Sequence, residues 1–144
     1  PCRHYRGPGS SLILFEDLLM LSFDGVDMQY VAALDKHTGQ TVWKTDRSTV
    51  WSDLDENGQP EREGDYRKAF CTPLIIEVAG KHQLISLGAA AGFAYDPRTG
   101  RGIWKTHHDG HAASPRPATG KSPLTAWSRA PARGIFLGST ASTV

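Results

Sequence analysis

Short apolar or alternating runs, broken by small turn-forming pairs, recur along the first two thirds of the chain. Residues 12–15, 18–23, 29–35 and 40–45 fit strands, with Asp24-Gly25 and Thr38-Gly39 as turn punctuation. A second set follows at 73–78, 83–87, 92–96 and 102–106, with Ala79-Gly80 and Thr99-Gly100 in the matching places. No apolar stripe at helical spacing is long enough for a substantial helix. The predicted fold class is all-β, built from two four-stranded antiparallel units.

The two sets are copies of one unit. Ala33-Leu-Asp-Lys-His-Thr-Gly-Gln-Thr-Val-Trp43 and Ala94-Tyr-Asp-Pro-Arg-Thr-Gly-Arg-Gly-Ile-Trp104 share the pattern A-x-D-x-x-T-G-x-x-x-W, 61 residues apart, and both continue into Lys-Thr. The same offset carries Ser10-Ser11 onto Cys71-Thr72 and Ile13-Leu14 onto Leu74-Ile75, so one register is expected across the whole unit. Each motif position has a physical reason. Asp35 and Asp96 end a strand where a short carboxylate accepts hydrogen bonds from turn amides. Thr38 and Thr99 precede Gly39 and Gly100, which supply the positive φ of a hairpin turn. Ala33 and Ala94 are small enough to let a neighbouring sheet approach, and Trp43 and Trp104 offer it a large flat apolar surface.

These eleven-residue stretches resemble the tryptophan-docking motifs of the pyrroloquinoline-quinone (PQQ) repeat propellers. That family includes quinoprotein alcohol and glucose dehydrogenases and also non-catalytic scaffolds such as outer-membrane assembly lipoproteins. The resemblance spans residues 10–106 and implies four-stranded blades in a ring of roughly seven or eight. The organisation it implies is the end of a preceding segment at 1–9, a blade at 10–45, a polar inter-blade insertion at 46–69 and a blade at 70–106. Residues 107–144 form a linker and the start of a third, truncated blade: Ala113-Ser-Pro115 echoes Cys71-Thr-Pro73, and 134–140 reads as a strand. With no leader at Pro1 and no terminal cue at Val144, an internal fragment is expected. Function by resemblance is a non-catalytic scaffold or binding module for another protein, in the periplasm or elsewhere outside the cytoplasm. The alternative is part of a PQQ-dependent dehydrogenase whose active-site residues lie outside this segment; only then would PQQ with calcium be the cofactor, and none is expected within the segment itself.

Composition agrees with a folded domain: 144 residues, 39% hydrophobic and 22% charged. Sixteen basic against fifteen acidic side chains leave a net charge of +1, which argues against a nucleic-acid partner. No apolar run approaches the roughly 20 residues of a membrane helix. Cys2 and Cys71 fit neither a disulfide framework nor a metal spacing.

Candidate chemistry is sparse. Asp53-Leu-Asp55-Glu-Asn57-Gly58 matches the opening half of a calcium loop, so Asp53, Asp55 and Asn57 are candidate metal ligands. The match then fails, because Gly64 stands where the closing Glu belongs and Pro60 breaks the course; a solvated acidic turn is the favoured reading. His107, His108, Asp109 and His111 are dense in donors but lack a spacing that aims them at one centre. Asp24 with Asp27, and Glu61 with Glu63, are expected in turns. Trp127 is available for stacking in an irregular Pro-rich stretch. No catalytic residue is assigned.

Overall fold

The computed structural model describes Gly7 and residues 9–107. Among them run strands β1 (Ile13–Phe15), β2 (Leu18–Asp24), β3 (Gln29–Asp35) and β4 (Thr41–Asp46), then a 3-10 segment (Glu61–Arg67). Strands β5 (Leu74–Val78), β6 (Lys81–Leu87), β7 (Ala91–Tyr95) and β8 (Gly102–His107) follow. The strands make two antiparallel four-stranded sheets in sequential order, β1-β2-β3-β4 and β5-β6-β7-β8. The candidate third unit (113–115 and 134–140), His108, Asp109, His111, Trp127 and Cys2 lie outside the described residues.

Period-2 alternation decides which side chains meet. In the first sheet Met20 and Ser22 lie opposite Ala33 and Val31, and these lie opposite Trp43 and Thr45. That set forms one face. In the second sheet Leu84 and Ser86 lie opposite Tyr95 and Phe93. One core joins the two faces, with Met20, Val31, Ala33 and Trp43 packed on Leu84, Ala91, Phe93 and Tyr95. The face that the second sheet presents is the reverse of its own Trp104 face, since Trp104 shares the other side with Ile85 and Ala94. Stacking is therefore head to tail.

A single offset does not hold across the unit. Ile13 pairs with Met20, Leu74 with Ile85, and Met20 and Ile85 then pair with Ala33 and Ala94. Outer elements thus repeat at 61 residues, but Met20 corresponds to Ile85, 65 residues on. The physical reason is an exchange of hairpin lengths: β1 is short and the β2–β3 hairpin long, whereas β5 is longer and the β6–β7 hairpin shorter. The two differences cancel by β3 and β7. The long β2–β3 hairpin carries Asp24 to a strand end, so this residue is not in the turn where the sequence placed it; Gly25 to Met28 make that turn, closed by Gly25 N–H donating to Met28 O at 3.0 Å.

Candidate functional site

The two T-G turns have the same local chemistry. Asp35 Oδ1 accepts from the amides of His37 (3.0 Å) and Thr38 (2.7 Å), and from the Thr38 hydroxyl (2.9 Å). The Thr38 amide and hydroxyl hold this carboxyl below the usual range. Asp96 Oδ1 accepts from Arg98 (2.8 Å) and Thr99 (3.2 Å). Gly39 and Gly100 sit at φ +72° and +70°.

Trp43 lies over the second of these turns. It is 9% exposed, and a Cβ on Gly100 would fall 2.5 Å from its ring. Trp43 Nε1 donates to Pro97 O at 3.1 Å, and Thr45 Oγ1 to Gly100 O at 2.8 Å. The outer strand of one unit is thereby hydrogen-bonded to the turn of the next. Trp104 is half-buried, and its Nε1 donates to Gln83 Oε1 within its own sheet at 3.0 Å.

Beside that contact is a buried ion pair that the residue pattern did not single out. Asp24 and Arg47 have side chains 0% and 1% exposed. Arg47 Nε and Nη2 donate to the two carboxylate oxygens of Asp24, and Nη2 also reaches Ser86 Oγ at 2.8 Å. The guanidinium lies 4.9 Å from the Phe93 ring centre. Burial alone would lower the Arg47 pKa, but the charge and hydrogen bonds of Asp24 outweigh it and hold the group above its ordinary value. The Tyr95 phenol is near enough to favour the cation, yet among the described residues neither its hydroxyl nor Arg47 Nη1 has a partner in good hydrogen-bond geometry. Cys71, also buried here, has its thiol pushed up to about 12 by burial and by the Asp24 charge, with Arg47 opposing. Such a thiol stays protonated and unreactive at neutral pH. A sequence signal for Arg47 existed: continuing the alternation from Trp43 through Thr45 puts it on the inward face.

The acidic turn of the insertion is exposed from 54 to 59 and is flanked by side-chain contacts. Trp51 Nε1 donates to Gln29 Oε1 at 3.3 Å, and Arg67 lies over its ring. Asp53, a candidate calcium ligand, receives Arg67 on both oxygens, with side chains only 13% and 14% exposed. Arg67 hydrogen bonding, against the opposing effect of burial, holds the Asp53 carboxyl below its ordinary value. Asp55 Oδ1 accepts from the Asn57 and Gln59 amides, at 2.9 and 2.8 Å. Asp53 and Asp55, two of the three candidate metal ligands, thus accept hydrogen bonds from the loop itself. Among the described residues, no three His, Cys, Asp or Glu side chains are grouped to hold a metal. Glu61 and Glu63 belong to the 3-10 segment, where Arg62, Glu63 and Gly64 run consecutively at positive φ. Gly64 fits because a Cβ would strike Val26 at 2.5 Å. An open cleft lies between Val26 and residues 59–63. No described helix is long and apolar enough to cross a membrane.

No protein-family model and no curated protein matches this chain.

Proposed function

We propose that the chain is part of a β-propeller of the PQQ-repeat type that acts as a non-catalytic scaffold or binding module for a protein partner outside the cytoplasm. The observation that carries this reading is the seating of Trp43 on the Pro97–Gly100 turn of the following unit. Because the first sheet uses its Trp face and the second its reverse face, the contact is heterologous, and the same rule applied again adds further sheets on either side. The outer face of the first sheet suits such an addition. Leu19, Leu21, Ala32 and Leu34 on it correspond to Leu84, Ser86, Phe93 and Tyr95, the residues that the second sheet buries against the first. Repeats of this kind close into a ring when each is rotated by a constant angle. The extracytoplasmic location rests on the resemblance of the motifs alone.

Within this segment the acidic residues serve the fold, and the dehydrogenase alternative would draw its active-site residues from outside it. The carboxylates of Asp24, Asp53 and Asp55 are all engaged by arginine or by backbone amides. Titrating the full-length protein with PQQ and calcium, while following quinone absorbance and dye-linked alcohol or glucose oxidation, tests the assignment. Neither a bound-quinone spectrum nor turnover is expected. Stoichiometric quinone binding with calcium-dependent turnover would replace the scaffold by the dehydrogenase. Electron micrographs lacking a ring of four-stranded blades would remove the propeller.

A further inference from the structure

Two chain segments that leave and re-enter the sheets converge on one residue. At the start of the insertion, the Arg47 guanidinium grips the carboxylate of Asp24. At its end, the Ala69 amide donates to the backbone carbonyl of the same Asp24 at 3.3 Å. The Arg47 amide also donates to Gln29 O at 2.8 Å, and Gln29 lies opposite Asp24 across the hairpin. Asp24 thus closes the mouth of a long excursion, and the closure entropy is met at a single point.

That point is also where the second sheet is held. Arg47 donates to Ser86 in β6, lies over Phe93 in β7, and rests on Gly88, where a Cβ would come within 3.2 Å of its side chain. Lys105 of β8 donates to the Ser48 carbonyl, one residue further along the insertion. A fork-shaped, always-charged side chain suits a position that must address two partners at fixed angles. An apolar contact there would slide; the buried pair fixes direction at the cost of desolvation.

We propose that Asp24 is a clasp joining the 47–69 insertion to the seating of the second sheet, so that order in one and contact in the other rise and fall together. A ligand or protein that stiffens the insertion then tightens the inter-sheet contact, and one that pulls the insertion open loosens it. This coupling does not depend on how many sheets the complete protein contains.

Two tryptophans report the two sides separately: Trp51 in the insertion and Trp43 at the inter-sheet contact. The full chain is labelled with 5-fluorotryptophan, its fluorine signals are assigned by single Trp→Phe changes, and exposure is read as broadening by a soluble gadolinium chelate. Asp24→Asn alone strands a buried cation and risks misfolding. The informative protein is therefore Asp24→Asn with Arg47→Met, which is neutral and similar in volume. Both signals are expected to broaden more than in the parent, together, by about tenfold in the opening equilibrium, as for the loss of a charge-assisted hydrogen bond. Asp53→Asn, which releases Arg67 without touching Asp24, loosens the insertion and should broaden Trp51 and, through the intact clasp, Trp43 with it. Broadening of Trp51 alone in either protein, or of neither signal in the double variant, overturns the clasp.

Discussion

The turn closed by Asp96 and its twin closed by Asp35 differ in almost nothing local, yet one is roofed and the other bare. A Cβ at Gly39 would meet none of the described residues within 4 Å, whereas at Gly100 it would enter the Trp43 ring and approach Thr45 Oγ1 at 2.7 Å. Pro97 is fully buried, while Lys36, in the corresponding place, is exposed and pairs with Asp17. The carboxylate–amide bonds and positive φ form in both turns, so the motif builds the turn without help from a neighbour. What the neighbour adds is desolvation, and with it the energetic weight of the same residues.

Removing the roof is the strongest way to break this comparison. Trp43→Ala should destabilise the chain by about 3–5 kcal/mol, the range for deleting a large buried aromatic. Urea unfolding followed by circular dichroism measures it. A midpoint equal to the parent's would mean that the covered turn carries no more weight than the bare one.

The glycines sharpen the comparison, because the two substitutions share their local cost. Gly39→Ala and Gly100→Ala each force an L-residue to positive φ, roughly 1 kcal/mol. Only Gly100→Ala adds overlap with Trp43 and Thr45, which should bring its total to about 2–4 kcal/mol. Equal losses from the two variants would show that the indole can step aside freely.

The motif exposed much of this arrangement before any coordinates, since strands, turns and the repeat follow from period-2 patterning and from Asp, Gly and Trp at fixed places. The insertion stayed hidden for a physical reason. Asp53-Leu-Asp55-Glu-Asn57-Gly58 has the oxygen spacing of an ion-binding loop, and nothing local reveals that Arg67 claims Asp53 from 14 residues away. Asp24 was obscured by its neighbour: followed by Gly25, it looked like turn chemistry, although the alternation Met20, Ser22, Asp24 already aimed it inward. The slip of β6 by four residues against the repeat was invisible because it is cancelled before the motif resumes.

Hydrogen bonds between outer strand and roofed turn contribute less than the packing. Trp43→Phe keeps an aromatic surface but orphans the Pro97 carbonyl, and Thr45→Val does the same to Gly100 O while conserving shape. Each should cost about 1 kcal/mol. Because both bonds fasten one strand to one turn, the double variant should lose a different amount from the sum. Strict additivity would place the two bonds in independent contacts and weaken the picture of a single roofed surface.

The smallest effect is read in the insertion, by pH. The folded pKa of Asp53 lies below its ordinary value of 3.8, because Arg67 donates to the carboxylate. A depressed folded pKa means that the unfolded loop binds the proton more readily. The stabilisation is therefore fully present above 3.8 and is lost as pH falls through the lower folded value. Pepsin, active across this range, should cut the 53–67 segment of Asp53→Asn faster than that of the parent at the upper end, and the two should converge as the pH is lowered. Over the same range the fluorine signal of Trp43 should follow that of Trp51, since the intact clasp passes loosening of the insertion to the second sheet. A gap between parent and variant that widens toward low pH would reverse the sign and exclude Asp53–Arg67 as the bond that keeps the insertion folded.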